Sequence, residues 1–216
     1  MGKKAIDRLI MDYELKRSPI RSRLREFKQI FKNGDDLKIF EELSFCIFTA
    51  NATAKMGLRS IDAVGDMLMD ANELEISQRL KGIHRFPNSR ARYVFVTREY
   101  LKREFDFRLK DLITSLKHPP NRRDFFARCS GIKGIGYKEA SHFLRNIGFG
   151  GYAILDKHIL RSLYDLNVIE SLEPPITRNN YLSIENKLRR FAKRIGIDMD
   201  ELDLLLWSEK TGEILK

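Results

Sequence analysis

The spacing of apolar residues predicts helices along the whole chain. Apolar positions recur every three to four residues, the period of one helix face, and no segment alternates convincingly as a strand would. The segments with this pattern are 4–31, 36–54, 56–81, 90–103, 107–117, 122–129, 137–147, 157–166, 177–195 and 198–207. Pro19 predicts a break or restart in the first segment. Segment 36–54 is the most apolar and is expected to form a central core helix, within an all-α fold.

A glycine-rich stretch, GIKGIGYKEASHFLRNIGFGGYAILD at 131–156, carries the strongest chemical signal. Gly134 and Gly136 suit a tight turn, because glycine adopts positive φ freely and lets another backbone approach closely. The helix that follows would direct its free N–H groups outward, which favours phosphate binding. Lys138 lies in its first turn, where the helix dipole favours the neutral, nucleophilic amine. Asp156 follows a short apolar run and opens another helix.

The charge of the chain favours a polyanionic partner. It has 216 residues, with 40 Lys and Arg against 30 Asp and Glu, a formal net charge of +10 and a pI near 9.6. The alternative is a basic soluble protein without such a partner. No apolar run approaches the roughly 20 residues of a membrane span, and no signal peptide is evident. These features predict a cytoplasmic protein with no membrane partner.

Two cysteines, Cys46 and Cys129, lie in apolar contexts and are expected to be buried free thiols in a reducing compartment. Two cysteines cannot hold a cluster that needs four, so the sequence excludes a cysteine-ligated iron–sulfur cluster of that kind. The histidines at 84, 142 and 158 show no zinc-ligand spacing with either cysteine.

The glycine turn, Lys138, a spacer and Asp156 occur together and in this order. This combination resembles the helix-hairpin-helix DNA glycosylase superfamily. Three further segments extend the resemblance over nearly the whole chain, to the archaeal-type 8-oxoguanine DNA glycosylase/AP lyase group without an iron–sulfur cluster. They are SFCIFTANATA at 44–54, GIHRFPNSRARYV at 82–94 and ELDLLLWSEKTGEILK at 201–216.

The resemblance implies a bifunctional DNA repair enzyme of base excision repair. Such an enzyme extrudes the damaged nucleotide from the duplex by base flipping. Lys138 would then attack C1′ of the sugar and expel the base, and the resulting Schiff base would allow strand cleavage by β-elimination. Asp156 would stabilise the positive charge that develops on the sugar or help to deprotonate the lysine. It is also expected to cap the helix that it opens.

Further site residues are implied by the same resemblance. The expected DNA-binding residues are Gly134, Gly136, Asn51 and Arg90, and the expected base-pocket residues are Phe86, Trp207 and Lys216. No cofactor is required, although Na⁺ or K⁺ could bind the hairpin carbonyl groups of Ile132 and Gly134. Two of these residues have structural alternatives, since Asn51 could satisfy the end of a helix and Trp207 could be a core aromatic. Glu139 and Lys157 are expected to face solvent.

The family arrangement implies two helical subdomains that flank a DNA-binding cleft. Residues 35–147 would form one bundle with the helix-hairpin-helix at about 122–147, and residues 1–34 plus 155–216 would form the other. We expect a monomer that acts at the nucleoid on double-stranded DNA containing a damaged base. Two alternatives are a glycosylase of the superfamily for another damaged base and a non-catalytic helix-hairpin-helix DNA-binding protein. Lys138 argues against a monofunctional enzyme, which would need only the aspartate and a water.

Overall fold

The computed structural model describes residues 2–214, with all side chains in that range except those of residues 2, 3, 210 and 211. Every regular element in this range is helical, which confirms the all-α prediction. A short 3-10 turn at Gly65–Met67 accompanies eleven α-helices. The α-helices are α1 (Gly2–Asn33), α2 (Asp36–Thr49), α3 (Ala54–Val64), α4 (Glu73–Leu80), α5 (Pro87–Phe105), α6 (Leu109–Ser115), α7 (Pro119–Arg128), α8 (Tyr137–Asn146), α9 (Lys157–Asp165), α10 (Arg178–Ile195) and α11 (Met199–Thr211).

The first helix contains Pro19 without a break, so the predicted interruption is wrong. A proline inside a helix removes one backbone hydrogen bond and costs about 3 kcal/mol. Burial on both sides of the proline offsets this cost, since Leu9 and Tyr13 before it and Ile20 and Phe27 after it are at most 5% exposed.

Contacts divide the chain into two compact units. The first comprises residues 1–28 and 148–216, and the second comprises residues 29–147. The predicted subdomains, 35–147 and 1–34 with 155–216, remain a prediction.

The second unit is built around α2. Its apolar residues from Ile39 to Phe48 are completely buried, which confirms the expected core helix. Asp35 caps the helix by accepting a hydrogen bond from the Lys38 N–H at 2.8 Å. Helices α3, α5, α6 and α8 pack against α2, and this packing fixes the start of α8 relative to the rest of the unit.

In the first unit, α11 packs against both α9 and α10. The leucines of α11 and the apolar face of α10 are buried together with the non-helical segment 152–155. No helix within residues 2–214 combines the length and apolar character needed to cross a membrane.

Candidate functional site

Two helices of the second unit, α7 and α8, are joined by a hairpin at 129–136. Helix α7 begins at Pro119 rather than at residue 122, because proline fits the first helical turn, where its missing N–H is not needed. Gly134 has a φ of +78°, and a Cβ there would lie 2.4 Å from the Tyr93 ring. Gly136 differs from the expectation of positive φ: its φ is −119°, and it serves as the extended N-cap of α8. Glycine is therefore required by conformation and by close approach at position 134.

Two backbone N–H groups of the hairpin donate hydrogen bonds within the second unit. The Ile132 N–H donates to the Cys129 carbonyl at 3.1 Å, and the Lys133 N–H donates to Thr97 Oγ1 at 2.9 Å. Gly136 has no side chain, so the first N–H groups of α8 lack a capping hydroxyl or carboxylate from the N-cap position. Neither Ile132 nor Gly134 has a side-chain ligand atom, so a cation could bind only to their backbone carbonyl oxygens. Such oxygens suit Na⁺ or K⁺. The cation site remains a prediction.

Lys138 is the second residue of α8 and is paired with its neighbour Glu139. The distance from Lys138 Nζ to Glu139 Oε1 is 2.9 Å, and the two side chains are 34% and 14% exposed. The other carboxylate oxygen, Glu139 Oε2, accepts a hydrogen bond from the Gly136 N–H at 3.2 Å. The sequence predicted that Glu139 faces solvent. In the structure its side chain is only 14% exposed, and both carboxylate oxygens have partners. The signal that could have identified it is its place three residues after the N-cap, where glutamate commonly caps the backbone.

The start of α8 is anchored to α7. The Tyr137 hydroxyl donates to Asp124 Oδ1 at 2.9 Å, and the buried Ser141 hydroxyl donates to the Tyr137 carbonyl at 2.8 Å. Phe143 packs edge-on against Phe126, with ring centroids 4.8 Å apart. These contacts fix the orientation of the turn that carries Lys138.

A cavity of about 490 Å³ lies beside the hairpin, within the second unit. Five of the residues predicted from the sequence line it: Asn51, Phe86, Arg90, Gly134 and Gly136. The sequence did not single out its other lining residues, Ala50, Ser89, Tyr93, Ile135 and Glu139. They come from three separate stretches of sequence, and no local pattern connects them.

Arginine side chains shape the mouth and the wall of this cavity. Arg90 is 5% exposed and donates from Nη2 to the Ala50 carbonyl, while its Nε has no hydrogen-bond partner among the described residues. Burial lowers the pKa of Arg90, and the charges of Tyr93 and Glu139 act in the opposite direction. Arg85 donates to the Asn51 carbonyl at 2.7 Å and covers the Phe86 ring at 4.5 Å.

Two residues that line the cavity, Asn51 and Phe86, remain accessible to solvent. Asn51 is exposed and has a φ of +56°, which asparagine tolerates better than most residues. Phe86 is 41% exposed, so an aromatic face remains accessible at the mouth. Nearby His84 is 3% exposed, and its Nδ1 accepts from the Phe86 N–H at 2.9 Å. Burial lowers the pKa of His84, which favours the neutral ring in this supporting role.

Asp156 belongs to the first unit and caps α9, as expected. Its Oδ1 accepts hydrogen bonds from the N–H groups of His158 and Ile159, both at 2.8 Å. These two hydrogen bonds do not involve its Oδ2. The cap therefore fixes the orientation of the side chain through one carboxylate oxygen.

The segment 152–155 before Asp156 has no regular secondary structure, and side chains satisfy its backbone groups. The Gly151 N–H donates to Asp200, the Ala153 N–H to Glu185 at 2.9 Å and the Ile154 N–H to Asp203 at 3.0 Å. The Leu155 N–H donates to the Tyr181 hydroxyl at 3.2 Å, and that hydroxyl donates to the Ala153 carbonyl at 2.7 Å. Helices α10 and α11 thus hold the segment that presents Asp156, a support that sequence reasoning did not identify.

The functional roles of all the predicted site residues remain predictions. Trp207 lies half-buried on α11, and Lys216 falls outside the described residues. Cys46 is buried, as expected, and forms no disulfide among the described residues, whereas Cys129 is half-buried and its Sγ is hydrogen-bonded to the Tyr100 hydroxyl at 3.1 Å. Within residues 2–214, no three His, Cys, Asp or Glu side chains come together as a metal site.

An all-helical fold with a glycine hairpin and a lysine in the first turn of the second hairpin helix defines the helix-hairpin-helix class. The sequence profile described as "8-oxoguanine DNA glycosylase" matches residues 20–197. The chain therefore belongs to the 8-oxoguanine DNA glycosylase family.

Relatives in two domains of life are similar to almost the whole chain. The "8-oxoguanine DNA glycosylase/AP lyase" of Methanocaldococcus jannaschii is 42% identical, with 94% of this chain and 96% of the relative covered. The protein of the same name from Fusobacterium nucleatum is 40% identical, with 94% of each covered.

Solved structures agree with this likeness. The crystal structure of the Methanocaldococcus jannaschii enzyme in complex with a 15mer DNA containing 8-oxoguanine superposes with a TM-score of 0.87 at 40% identity, covering 96% of this chain and 99% of that one. The 8-oxoguanine DNA glycosylase of Thermotoga maritima gives a TM-score of 0.89 at 33% identity, with both chains fully covered.

Proposed function

We propose that this protein excises 8-oxoguanine from duplex DNA and then cleaves the strand at the resulting abasic site. The observation that carries this proposal is the position of Lys138. Its amine is partly exposed, in the first turn of the helix that follows the hairpin. A monofunctional glycosylase needs no such lysine, and the relatives are named for both activities.

The proposed reaction begins with extrusion of the damaged nucleotide, because its C1′ cannot be reached inside the base stack. The neutral amine of Lys138 attacks C1′. A bond from nitrogen to C1′ forms as the bond from C1′ to the base nitrogen breaks, and the base leaves with that electron pair. Opening of the sugar ring gives a Schiff base. Loss of a proton from C2′ then expels the 3′ phosphate in β-elimination.

Asp156 supplies the negative charge that this reaction requires. Positive charge develops on the sugar as the base leaves, and a fixed carboxylate lowers the free energy of that state. Oδ2, which takes no part in the cap, suits this role or acceptance of a proton from the lysine, while Oδ1 keeps the side chain in place.

The hairpin and cavity residues would bind the DNA around the lesion. First-turn N–H groups of α8 are suited to a phosphate beside the damaged nucleotide, with a monovalent cation at the carbonyl groups of Ile132 and Gly134. Asn51 and Arg90 would occupy or line the gap left by the extruded base. Phe86, Trp207 and Lys216 would contact the bases, through stacking in the case of the aromatic residues.

The partner and the assembly follow from the same proposal. The substrate is double-stranded DNA containing 8-oxoguanine, so the enzyme would act at the nucleoid. We propose that it acts as a monomer whose two predicted domains flank the DNA.

Borohydride trapping on a duplex with a single 8-oxoguanine tests the nucleophile and the lesion together. The native protein should form a covalent adduct, and Lys138→Gln should form none. Lys38→Gln is a matched control, because Lys38 is also a first-turn lysine that pairs with a glutamate, Glu41. It should trap like the native protein.

The outcome separates the alternatives. An adduct on abasic DNA but not on 8-oxoguanine DNA would support the lyase activity. It would also indicate that the enzyme releases a damaged base other than 8-oxoguanine. Absence of both adducts would refute the bifunctional assignment and leave a monofunctional enzyme or a DNA-binding protein.

A further inference from the structure

The nucleophilic lysine is tied to the hairpin through the carboxylate of Glu139. One oxygen of this carboxylate contacts Lys138 Nζ at 2.9 Å, and the other accepts from the Gly136 N–H at 3.2 Å. A single side chain therefore bridges the amine that is proposed to attack DNA and a backbone N–H of the hairpin that is proposed to receive a phosphate.

The bridge has an electrostatic consequence for the free protein. The positive end of the α8 dipole disfavours an ammonium at the second helical position, whereas a carboxylate at the third position is favoured there. The ion pair with Glu139 offsets this unfavourable interaction with the dipole. While the pair persists, the Lys138 amine is engaged by the carboxylate and is not presented to a sugar.

Other charges of this unit bear on the same carboxylate. Arg90 on α5 interacts electrostatically with Glu139, and Tyr93 on the same helix lines the same cavity. On α7, Asp124 accepts the hydroxyl of Tyr137, the residue before Lys138. Arg90 therefore places a second positive charge near the Glu139 carboxylate.

We propose that Glu139 is a positioning residue that holds Lys138 at the hairpin in the DNA-free enzyme and releases it when a phosphate binds the hairpin. This inference rests on the proposed function. A phosphate at the first-turn N–H groups places a second anion beside the Glu139 carboxylate and competes for the Gly136 N–H. Repulsion between the two anions moves the carboxylate away, and Lys138 is released from its partner.

Glu139→Gln separates the charge of this side chain from its hydrogen bond. Glutamine keeps an oxygen that can accept from the Gly136 N–H but carries no charge to hold the ammonium. The matched control is Glu75→Gln, because Glu75 is also at the third position of a helix and accepts from the backbone N–H of its N-cap, Asn72, at 2.7 Å. Glu139→Ala, which removes both charge and hydrogen bond, completes the series.

The first measurement does not depend on activity. An amine-reactive acylating reagent is applied to the DNA-free proteins near neutral pH, and modification of Lys138 is followed by mass spectrometry. We expect Lys138 to react about two- to fivefold faster in Glu139→Gln than in the native protein, because the amine loses a partly exposed ion pair and such pairs are screened by solvent. Glu75→Gln should react at the native rate.

The second measurement is borohydride trapping on a duplex with a preformed abasic site, over a range of pH. Trapping at a given pH should be about two- to fivefold faster in Glu139→Gln, because the amine no longer has to leave a charged partner. Undamaged duplex should also bind this variant more tightly, since the phosphate no longer displaces an anion. Glu75→Gln should match the native protein in both respects.

Two results would overturn the inference. One is equal labelling and equal trapping rates in the native protein and Glu139→Gln. The other is slower trapping in Glu139→Gln at every pH, to the level of Glu139→Ala, which would indicate a helix cap or a proton acceptor. If the native protein traps no abasic DNA, the proposed function fails, while the labelling rates still decide whether Glu139 restrains Lys138.

Discussion

The Tyr181 hydroxyl holds the non-helical segment before Asp156. We expect removal of this hydroxyl to lower both the stability of the protein and the rate of base release. This hydroxyl donates to the Ala153 carbonyl at 2.7 Å and accepts from the Leu155 N–H at 3.2 Å. The side chain is 2% exposed, so water cannot readily replace it. Tyr181→Phe keeps the ring and deletes both hydrogen bonds.

The expected cost follows from the groups left behind. A buried backbone group without a partner costs about 1–3 kcal/mol, so loss of two bonds should lower the free energy of unfolding by about 2–4 kcal/mol. For a chain of this length, that corresponds to a fall in Tm of roughly 5–15 °C. Because Asp156 follows directly after this segment, single-turnover base release should also fall about tenfold or more under conditions where the variant is folded.

Urea unfolding followed by circular dichroism measures the first effect, and single-turnover kinetics on 8-oxoguanine duplex measures the second. Tyr164→Phe is the matched control, since Tyr164 lies on α9 and is 43% exposed. It should change the free energy of unfolding by less than about 0.5 kcal/mol. A loss in Tyr181→Phe no larger than in this control would refute the argument that the hydroxyl supports the segment.

Three further changes test the site. Asp156→Asn should lower base release about a hundredfold or more while stability stays nearly unchanged in urea unfolding, because asparagine caps a helix as well as aspartate; equal loss of both would mean that Asp156 is structural. Gly134→Ala should destabilise the protein by about 1–3 kcal/mol more than Gly82→Ala in the same assay. The two glycines have φ of +78° and +76°, but only at 134 would a Cβ meet the Tyr93 ring; equal losses would contradict this. The hydrogen bond with the Cys129 thiol, and then burial, raise the pKa of Tyr100 from 10.0 to about 12. Stability from this tyrosine should be fully present below about pH 10 and decline as the pH rises towards 12, as ultraviolet titration and unfolding at alkaline pH would show; Tyr100→Phe should remove this dependence.

Local patterns predicted the helices well, because apolar spacing and caps act within a few residues. The core position of α2 and the cap at Asp156 both follow from such signals. The prediction of a helix break at Pro19 was wrong. The free-energy cost of a proline inside a helix is local, whereas the burial along α1 that offsets it depends on tertiary packing. The start of α7 was misjudged because a proline can open a helix as well as precede one.

The support of the site could not be predicted in the same way. The side chains that hold the segment before Asp156 lie between 26 and 49 residues away in sequence. Buried acids such as Glu185 and Asp203 resemble ordinary helix-surface residues until the fold places them against backbone N–H groups. Arg90 was expected among DNA-binding residues, and its burial beside the cavity is likewise a consequence of packing.

Burial also changes how the basic composition relates to DNA binding. In the part of the chain that the structure describes, five arginines are buried, and the guanidinium groups of Arg90 and Arg98 donate to backbone carbonyl groups. Four acidic side chains are buried as well: Glu42, Glu185, Glu201 and Asp203. The buried charges therefore nearly cancel, and most of the formal +10 belongs to side chains that solvent and a polyanion can reach. The net positive charge that favours DNA binding therefore remains on accessible side chains. The buried arginines contribute instead to stability, and Arg90 also contributes to the shape of the cavity.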